Sequence, residues 1–151
     1  PPPPPPPFFQ AEDGIRDTRT CLVGSEMCIR DRDAPCSGLG VLRRNPDTRW
    51  RRTEADLARC AGRQQMFLNH LAPLVKPGGL LVYAVCSLEP EENEAVTQPF
   101  LARNRRFEQI PVPTDAINDP SAVVAPDNCL RTLPQRHNMD GFYAVCLKRR
   151  K

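Results

Sequence analysis

From Thr53 to Val75 the apolar side chains Leu57, Cys60, Ala61, Met66, Phe67, Leu71 and Leu74 recur at roughly helical spacing, which predicts an amphipathic helix. Thr53 suits its N-cap, and Glu54 and Asp56 suit its first turn. Pro77-Gly78-Gly79 stops it, and Pro73 is expected to kink its last turn. The unbroken apolar run Leu80 to Cys86 then predicts a short strand buried on both faces, as in the centre of a parallel sheet. Glu89-Pro-Glu-Glu-Asn-Glu94 opens a second helix running to about Arg103. Phe107 to Val112 reads as a strand. Residues 113–137, with Pro113, Pro120, Pro126 and Pro134, read as an irregular loop, and Gly141 to Lys148 as a closing strand with a basic end. This order of elements predicts an α/β fold with a partly parallel sheet.

The first 32 residues lack either periodicity. Pro1 to Pro7 is a homopolymer suited only to a solvated polyproline II rod. The stretch AEDGIRDTRTCLVGSEMCIRDR resembles peptides produced when sequencing-adapter DNA is translated, a natural low-complexity linker being the alternative. Residues 1–32 are therefore expected to be an artefactual, disordered leader in which Cys21 and Cys28 carry no functional weight. Residues 33–151 are expected to hold a partial catalytic domain.

Composition adds little to this division. Residues 33–151 carry 17 basic and 13 acidic side chains, a net +4 that suits an RNA-facing surface without proving one. No apolar run approaches the roughly 18 residues of a membrane span, and no secretory signal is visible. The 7 cysteines include no C-x-x-C pair and no histidine at ligand spacing. A metal site or disulfide framework is therefore not expected, and a reducing, cytoplasmic setting is.

Ligands of open α/β sheets bind beyond the carboxyl ends of the strands. Cys86 ends one predicted strand, and Asp33 to Cys36 stand at the end of whatever strand precedes them, one helical crossover earlier. If that crossover joins neighbouring strands, Cys36, Cys86 and Asp33 converge on one site suited to covalent catalysis. The alternative is that both thiols are merely small buried hydrophobes. Cys60, Cys129 and Cys146 fit that alternative better.

Four motifs carry a resemblance. D-A-P-C-S-G-L-G at 33–40 with V-L-R-R-N-P-D at 41–47, K-P-G-G-L-L-V-Y-A-V-C-S at 76–87, L-E-P-E-E-N-E at 88–94 and L-R-T-L-P-Q-R-H-N-M-D-G-F-Y-A-V at 130–145 together resemble the Nop/Sun family of RNA cytosine-C5 methyltransferases, in particular its bacterial 16S ribosomal RNA branch of RsmB (Sun/Fmu) type. The resemblance implies the C-terminal half of a Rossmann-like, S-adenosylmethionine-dependent domain, its sheet mostly parallel with an antiparallel last strand. It also implies a mechanism, in which Cys86 adds to C6 of cytosine, C5 takes the methyl group, and Cys36 assists release. Asp33 would sit between cofactor and base, and Pro35, Arg43 and Arg44 would contact RNA, with 16S ribosomal RNA as the implied partner. Val85 departs from the threonine common before the nucleophile. The family's glycine-rich turn after the first strand and its ribose-binding acids have no counterpart, since Gly38-x-Gly40 and Gly78-Gly79 form no G-x-G-x-x-G element. The chain alone is accordingly expected to be inactive and a weak binder of S-adenosylmethionine.

The helix expected after Cys86 would favour its thiolate through the positive end of the dipole, opposed by Glu89, Glu91 and Glu92. Arg43, Arg44, Arg49, Arg51 and Arg52 with Trp50 suit phosphate contact or a solvated loop equally. Lys148 to Lys151 suit a soluble chain end, and His70 and His137 have no identifiable partner. Two other function classes stay open: a non-catalytic RNA-binding piece, and a cysteine hydrolase, which would need a histidine base.

Overall fold

The computed structural model describes residues 29–33, 35–113 and 120–151. Strand β1 spans Ile29–Asp33, β2 Leu80–Val85, β3 Phe107–Ile110, β4 Leu130–Thr132 and β5 Phe142–Arg149. The helices are α1 Thr48–Arg51, α2 Glu54–Leu71, α3 Glu94–Arg103, α4 Pro120–Val123 and α5 Pro134–His137. The sheet runs β1-β2-β5-β3, with β4 also paired to β5. β1 lies parallel to β2, whereas β5 is antiparallel to β2, β3 and β4. Four strands thus point one way and the last inserts antiparallel between two of them, the mostly parallel arrangement expected. Four residues assigned to the leader, 29–32, belong to β1 and pair with Leu80–Tyr83.

Several elements differ from expectation for local reasons. β2 is not buried on both faces: Leu81, Tyr83 and Val85 are fully buried, while the alternate residues are only half-buried. The packed helices cover one face of the strand and give it the period of 2 seen in one-sided sheets. α2 ends at Leu71 and tightens into a 3-10 turn over Ala72–Leu74 around Pro73, in place of a kinked α-turn. Its start is as predicted, with Asp56 Oδ2 accepting the Thr53 amide and hydroxyl, both at 2.9 Å. The second helix begins later than expected, because Pro90–Glu92 forms a separate 3-10 turn and Asn93 breaks the path at φ −105°, ψ −100°. Pro99 inside α3 cannot donate to the Ala95 carbonyl, and Gln65 of α2 takes that acceptor at 3.2 Å. The region read as one loop contains α4, β4 and α5, pieces of three or four residues too short for periodicity to reveal. Residues 114–119 of it lie outside the described residues.

The core joins Leu68, Ala72 and Val75 from α2 and its end to Val96 and Phe100 of α3 and to the inward residues of β2 and β5. Tyr83 and Tyr143 meet edge to face at 6.4 Å across the β2–β5 pair, each with its hydroxyl hydrogen-bonded.

Candidate active site at the strand ends

The parallel β1–β2 pair brings the segment after β1 beside the segment after β2. Cys36 Sγ lies 3.2 Å from Cys86 Sγ, both thiols half-buried. The convergence expected from the crossover is therefore present for the two cysteines. Asp33 pairs through its backbone with Ala84, one turn of the path before the thiols, and its side chain lies outside the described residues, as do Cys21 and Cys28.

The residue after each cysteine is a fully buried serine, and the two serines tie the loops together. Glu92, also fully buried, accepts the Ser37 amide at 2.8 Å, the Ser37 hydroxyl at 2.5 Å and the Gln64 amide at 3.0 Å. With its proton committed to Glu92, Ser37 Oγ must accept from Ser87 Oγ, 3.3 Å away. Gln64 also donates to the Pro35 carbonyl at 3.0 Å, Arg52 Nε donates to the Ser37 carbonyl at 2.9 Å, and Tyr83 holds the Glu92 carbonyl at 2.6 Å. One carboxylate thus fixes both thiol-bearing loops from behind. Nothing in E-P-E-E-N-E distinguished Glu92 from its neighbours, and Ser37, Ser87 and Gln64 were equally invisible before the strands were brought together.

A second lock involves glycine. Gly40 donates to the Cys86 carbonyl at 2.9 Å and accepts from the Gly141 amide at 2.7 Å. A Cβ at Gly40 would stand 2.0 Å from the Gly141 carbonyl oxygen, so three segments from distant parts of the chain meet where only hydrogen fits.

The Cys36 thiol is pushed far above the ordinary thiol range, first by its hydrogen bond to Cys86, then by burial and by repulsion from charge on Cys86. The two sulfurs lie within hydrogen-bond distance, and either can be the donor. The expected assistance from a helix dipole is absent. Seven residues separate Cys86 from α3, among them the extended Glu89 and the 3-10 turn. Of the three glutamates, Glu92 is occupied with Ser37 and Gln64, and Glu91 is exposed.

Arg43 and Arg44 both face Asp140, whose carboxyl is buried. Arg44 Nε stands 2.7 Å from Oδ2 and Arg43 Nε 3.3 Å from Oδ1, and Arg43 also donates to Asn138. These guanidiniums anchor the first motif to the closing one. Arg49 stacks 5.4 Å over Trp50, whose ring is 82% exposed. Both histidines are engaged elsewhere: His70 with the Met66 carbonyl at 2.8 Å, and His137 between the Leu133 amide and the Ala122 carbonyl, each at 2.8 Å. Neither supplies the base that a cysteine hydrolase needs. Cys60 is half-buried on α2, and Cys129 and Cys146 are buried.

A family model described as 16S rRNA methyltransferase RsmB/F matches residues 21–148. The chain belongs to that family. A probable ribosomal RNA small subunit methyltransferase B of Synechocystis sp. is 44% identical to this RsmB/F chain over 118 residues, covering 78% of it and 26% of the relative. The corresponding Bacillus subtilis protein is 38% identical over 119 residues, covering 79% and 26%. Among solved structures, a methyltransferase homolog protein of Pyrococcus horikoshii superposes with a TM-score of 0.59 at 32% identity, over 80% of this chain and 38% of that one. NSun6 of the same organism, solved with SFG, gives 0.60 at 28% identity, over 80% and 29%. The RsmB/F chain thus spans about a quarter of the length of the curated relatives it matches. Among the described residues no helix is long and apolar enough to cross a membrane.

Proposed function

We propose that this chain contributes the thiol half of an active site that methylates C5 of cytosine in RNA, with 16S ribosomal RNA as substrate class. The supporting observation is the pair of thiols 3.2 Å apart at the ends of neighbouring parallel strands. Sulfur suits the task, because an unactivated pyrimidine C5 is a poor nucleophile and reversible thiolate addition at C6 makes it a good one. In the proposed sequence Cys86 Sγ bonds to C6 and the C5–C6 double bond opens. C5 takes the methyl group, the C5 proton leaves to a base, and the C6–S bond breaks as the double bond returns. Cys36 Sγ, within hydrogen-bond reach of the leaving sulfur, supports that last step.

S-adenosylmethionine supplies the methyl group when bound, a choice supported by the family and by the S-adenosylmethionine analogue named with NSun6. The residues of this chain fit that molecule only in part, since Asp33 at the end of β1 is a candidate contact while the sequence has no G-x-G-x-x-G turn to approach its methionine and ribose moieties. Pro35 on the thiol loop and the Arg43–Arg44 pair remain proposed RNA contacts, the arginines through donor positions not spent on Asp140.

The test joins residues 33–151 to the upstream part of the Synechocystis relative and supplies cytosine-containing RNA with methyl-labelled S-adenosylmethionine. Label in 5-methylcytidine, abolished by Cys86→Ala, is the expected result. Methyl transfer that survives this substitution refutes the nucleophile assignment.

A further inference from the structure

The end of the sheet opposite the thiols holds a feature that the proposed chemistry does not use. The loop from α3 into β3 and the last residues of β5 enclose a cleft of about 560 Å3 lined by Arg103, Arg105, Arg106 and Arg149, with Asn104 and Phe107 among its other walls. No carboxylate lines it. Among the described residues the side chains of Arg103, Arg105 and Arg106 make no hydrogen bond or ion pair, and all three are exposed. The carboxylate next in sequence, Glu108, is committed to Arg150 at 3.1 Å. Arg150 lines an adjoining cavity that shares Arg105 and Phe107 with the first, so the basic surface continues around the edge of β3.

A single arginine at a helix C-terminus favours the dipole and needs no ligand, which accounts for Arg103 alone. It does not account for Arg105 and Arg106, which lie beyond the helix. Arg149 is held in place by donating to the Pro73 carbonyl at 3.2 Å and the Val75 carbonyl at 2.5 Å, which fixes a fourth positive charge at the mouth. Buried Phe107 forms an apolar wall. Four like charges gathered round one cleft without a counter-charge repel one another, and an anion relieves that repulsion. Planar guanidiniums with free forked donors suit phosphate oxygens in particular. The cleft far exceeds one phosphate group, and the adjoining cavity extends it, which fits a chain of phosphates better than a single small anion.

We infer that this arginine cleft is a second RNA-binding site, taking the phosphodiester backbone of the substrate away from the target base. β2 runs from Leu80, paired with Lys148 at the basic end, to Val85, next to Cys86. Six residues of strand separate the two ends by about 20 Å. RNA that presents a cytosine to Cys86 and also lies in the cleft is therefore held at two points, the second supplying affinity without reading sequence. The inference rests on the proposed RNA substrate and not on the cysteine chemistry.

Fluorescence anisotropy of the full 151-residue chain with a labelled single-stranded RNA, titrated at several salt concentrations, tests it. Replacing Arg103, Arg105 and Arg106 together by Gln is expected to weaken binding tenfold or more at low salt. It should also lower the slope of log affinity against log salt by about 2, at roughly 0.7 per lost phosphate contact. The triple Lys variant should keep most of the slope, and Arg49→Gln with Arg51→Gln, at the thiol end, should leave the cleft's share intact. Thermal melts confirm folding of each variant. Unchanged affinity and slope in the triple Gln variant overturn the site. Displacement of the RNA by millimolar inorganic phosphate equally overturns it, in favour of a small-anion site. Binding is read without S-adenosylmethionine and needs no methyl transfer, so a failure of the methylation chemistry leaves this result untouched.

Discussion

Replacing Glu92 by Ala removes the acceptor for three donors at once: the Ser37 amide, the Ser37 hydroxyl and the Gln64 amide. The hydroxyl can turn toward Ser87 and Gln64 keeps the Pro35 carbonyl with one of its two amide hydrogens, so the Ser37 N–H and the second Gln64 N–H are the donors left with nowhere to go. An unsatisfied buried donor costs about 1–3 kcal/mol, and the emptied volume adds to it. Relief of burying a carboxylate offsets part of this. A net loss of about 2–4 kcal/mol follows, a large share of the roughly 5–15 kcal/mol that holds a domain folded. Glu92→Gln keeps one oxygen for the Ser37 amide and should cost only about 1 kcal/mol. Urea unfolding reads the totals, and amide hydrogen exchange at Ser37 reads the location. Glu92→Ala within about 1 kcal/mol of the unsubstituted chain, with the Ser37 amide still protected, would refute the view that this carboxylate fixes the thiol loops.

Two glycines should respond in opposite senses to alanine. Gly40→Ala, with its Cβ 2.0 Å from the Gly141 carbonyl, is expected to lose about 3 kcal/mol, whereas Gly62→Ala, with open space on α2, should gain about 0.5–1 kcal/mol. Thermal melts check both, and equal effects would show that the segments at Gly40 part easily. The Asp127 carboxyl is held below the usual range by the Arg131 hydrogen bond and the Cys129 amide. The stability this supplies is present above the unfolded carboxylate value of about 3.9 and lost as pH falls through the lower folded value. Asp127→Asn should therefore cost up to about 0.5 kcal/mol at pH 6, in keeping with a half-exposed ion pair, and progressively less as pH falls below about 3.9. Denaturant titrations across that pH range decide it.

The elements long enough to show a period were legible in the sequence. α2, β2 and β5 lie where their apolar spacing puts them, and the Thr53 cap is as read. β4 and α5 were not, because three or four residues hold less than two periods of any pattern. The cysteine pair was legible from topology, since a parallel crossover between neighbouring strands brings the two strand ends together. The supports behind the cysteines were not. Ser37, Gln64, Ser87 and Glu92 are polar residues whose burial arises only when segments 28 to 55 residues apart pack together. The dipole argument for Cys86 failed for a related reason: Pro90 and Asn93 insert a 3-10 turn and a break where the acidic run suggested one continuous helix. Arg43 and Arg44, read as RNA contacts from their motif, are also the anchors of Asp140, a partner almost a hundred residues away that no local pattern announces.

The central claim is that Cys86 bonds to the base and Cys36 helps to free it. The most direct measurement uses the chimera with the Synechocystis upstream part, carrying Cys36→Ala, incubated with cytosine-containing RNA and S-adenosylmethionine and run on a denaturing gel. A slow-migrating protein–RNA adduct should accumulate, and adding Cys86→Ala should abolish it. An adduct that persists without Cys86, or none from the Cys36 variant while methyl transfer continues, would contradict the account.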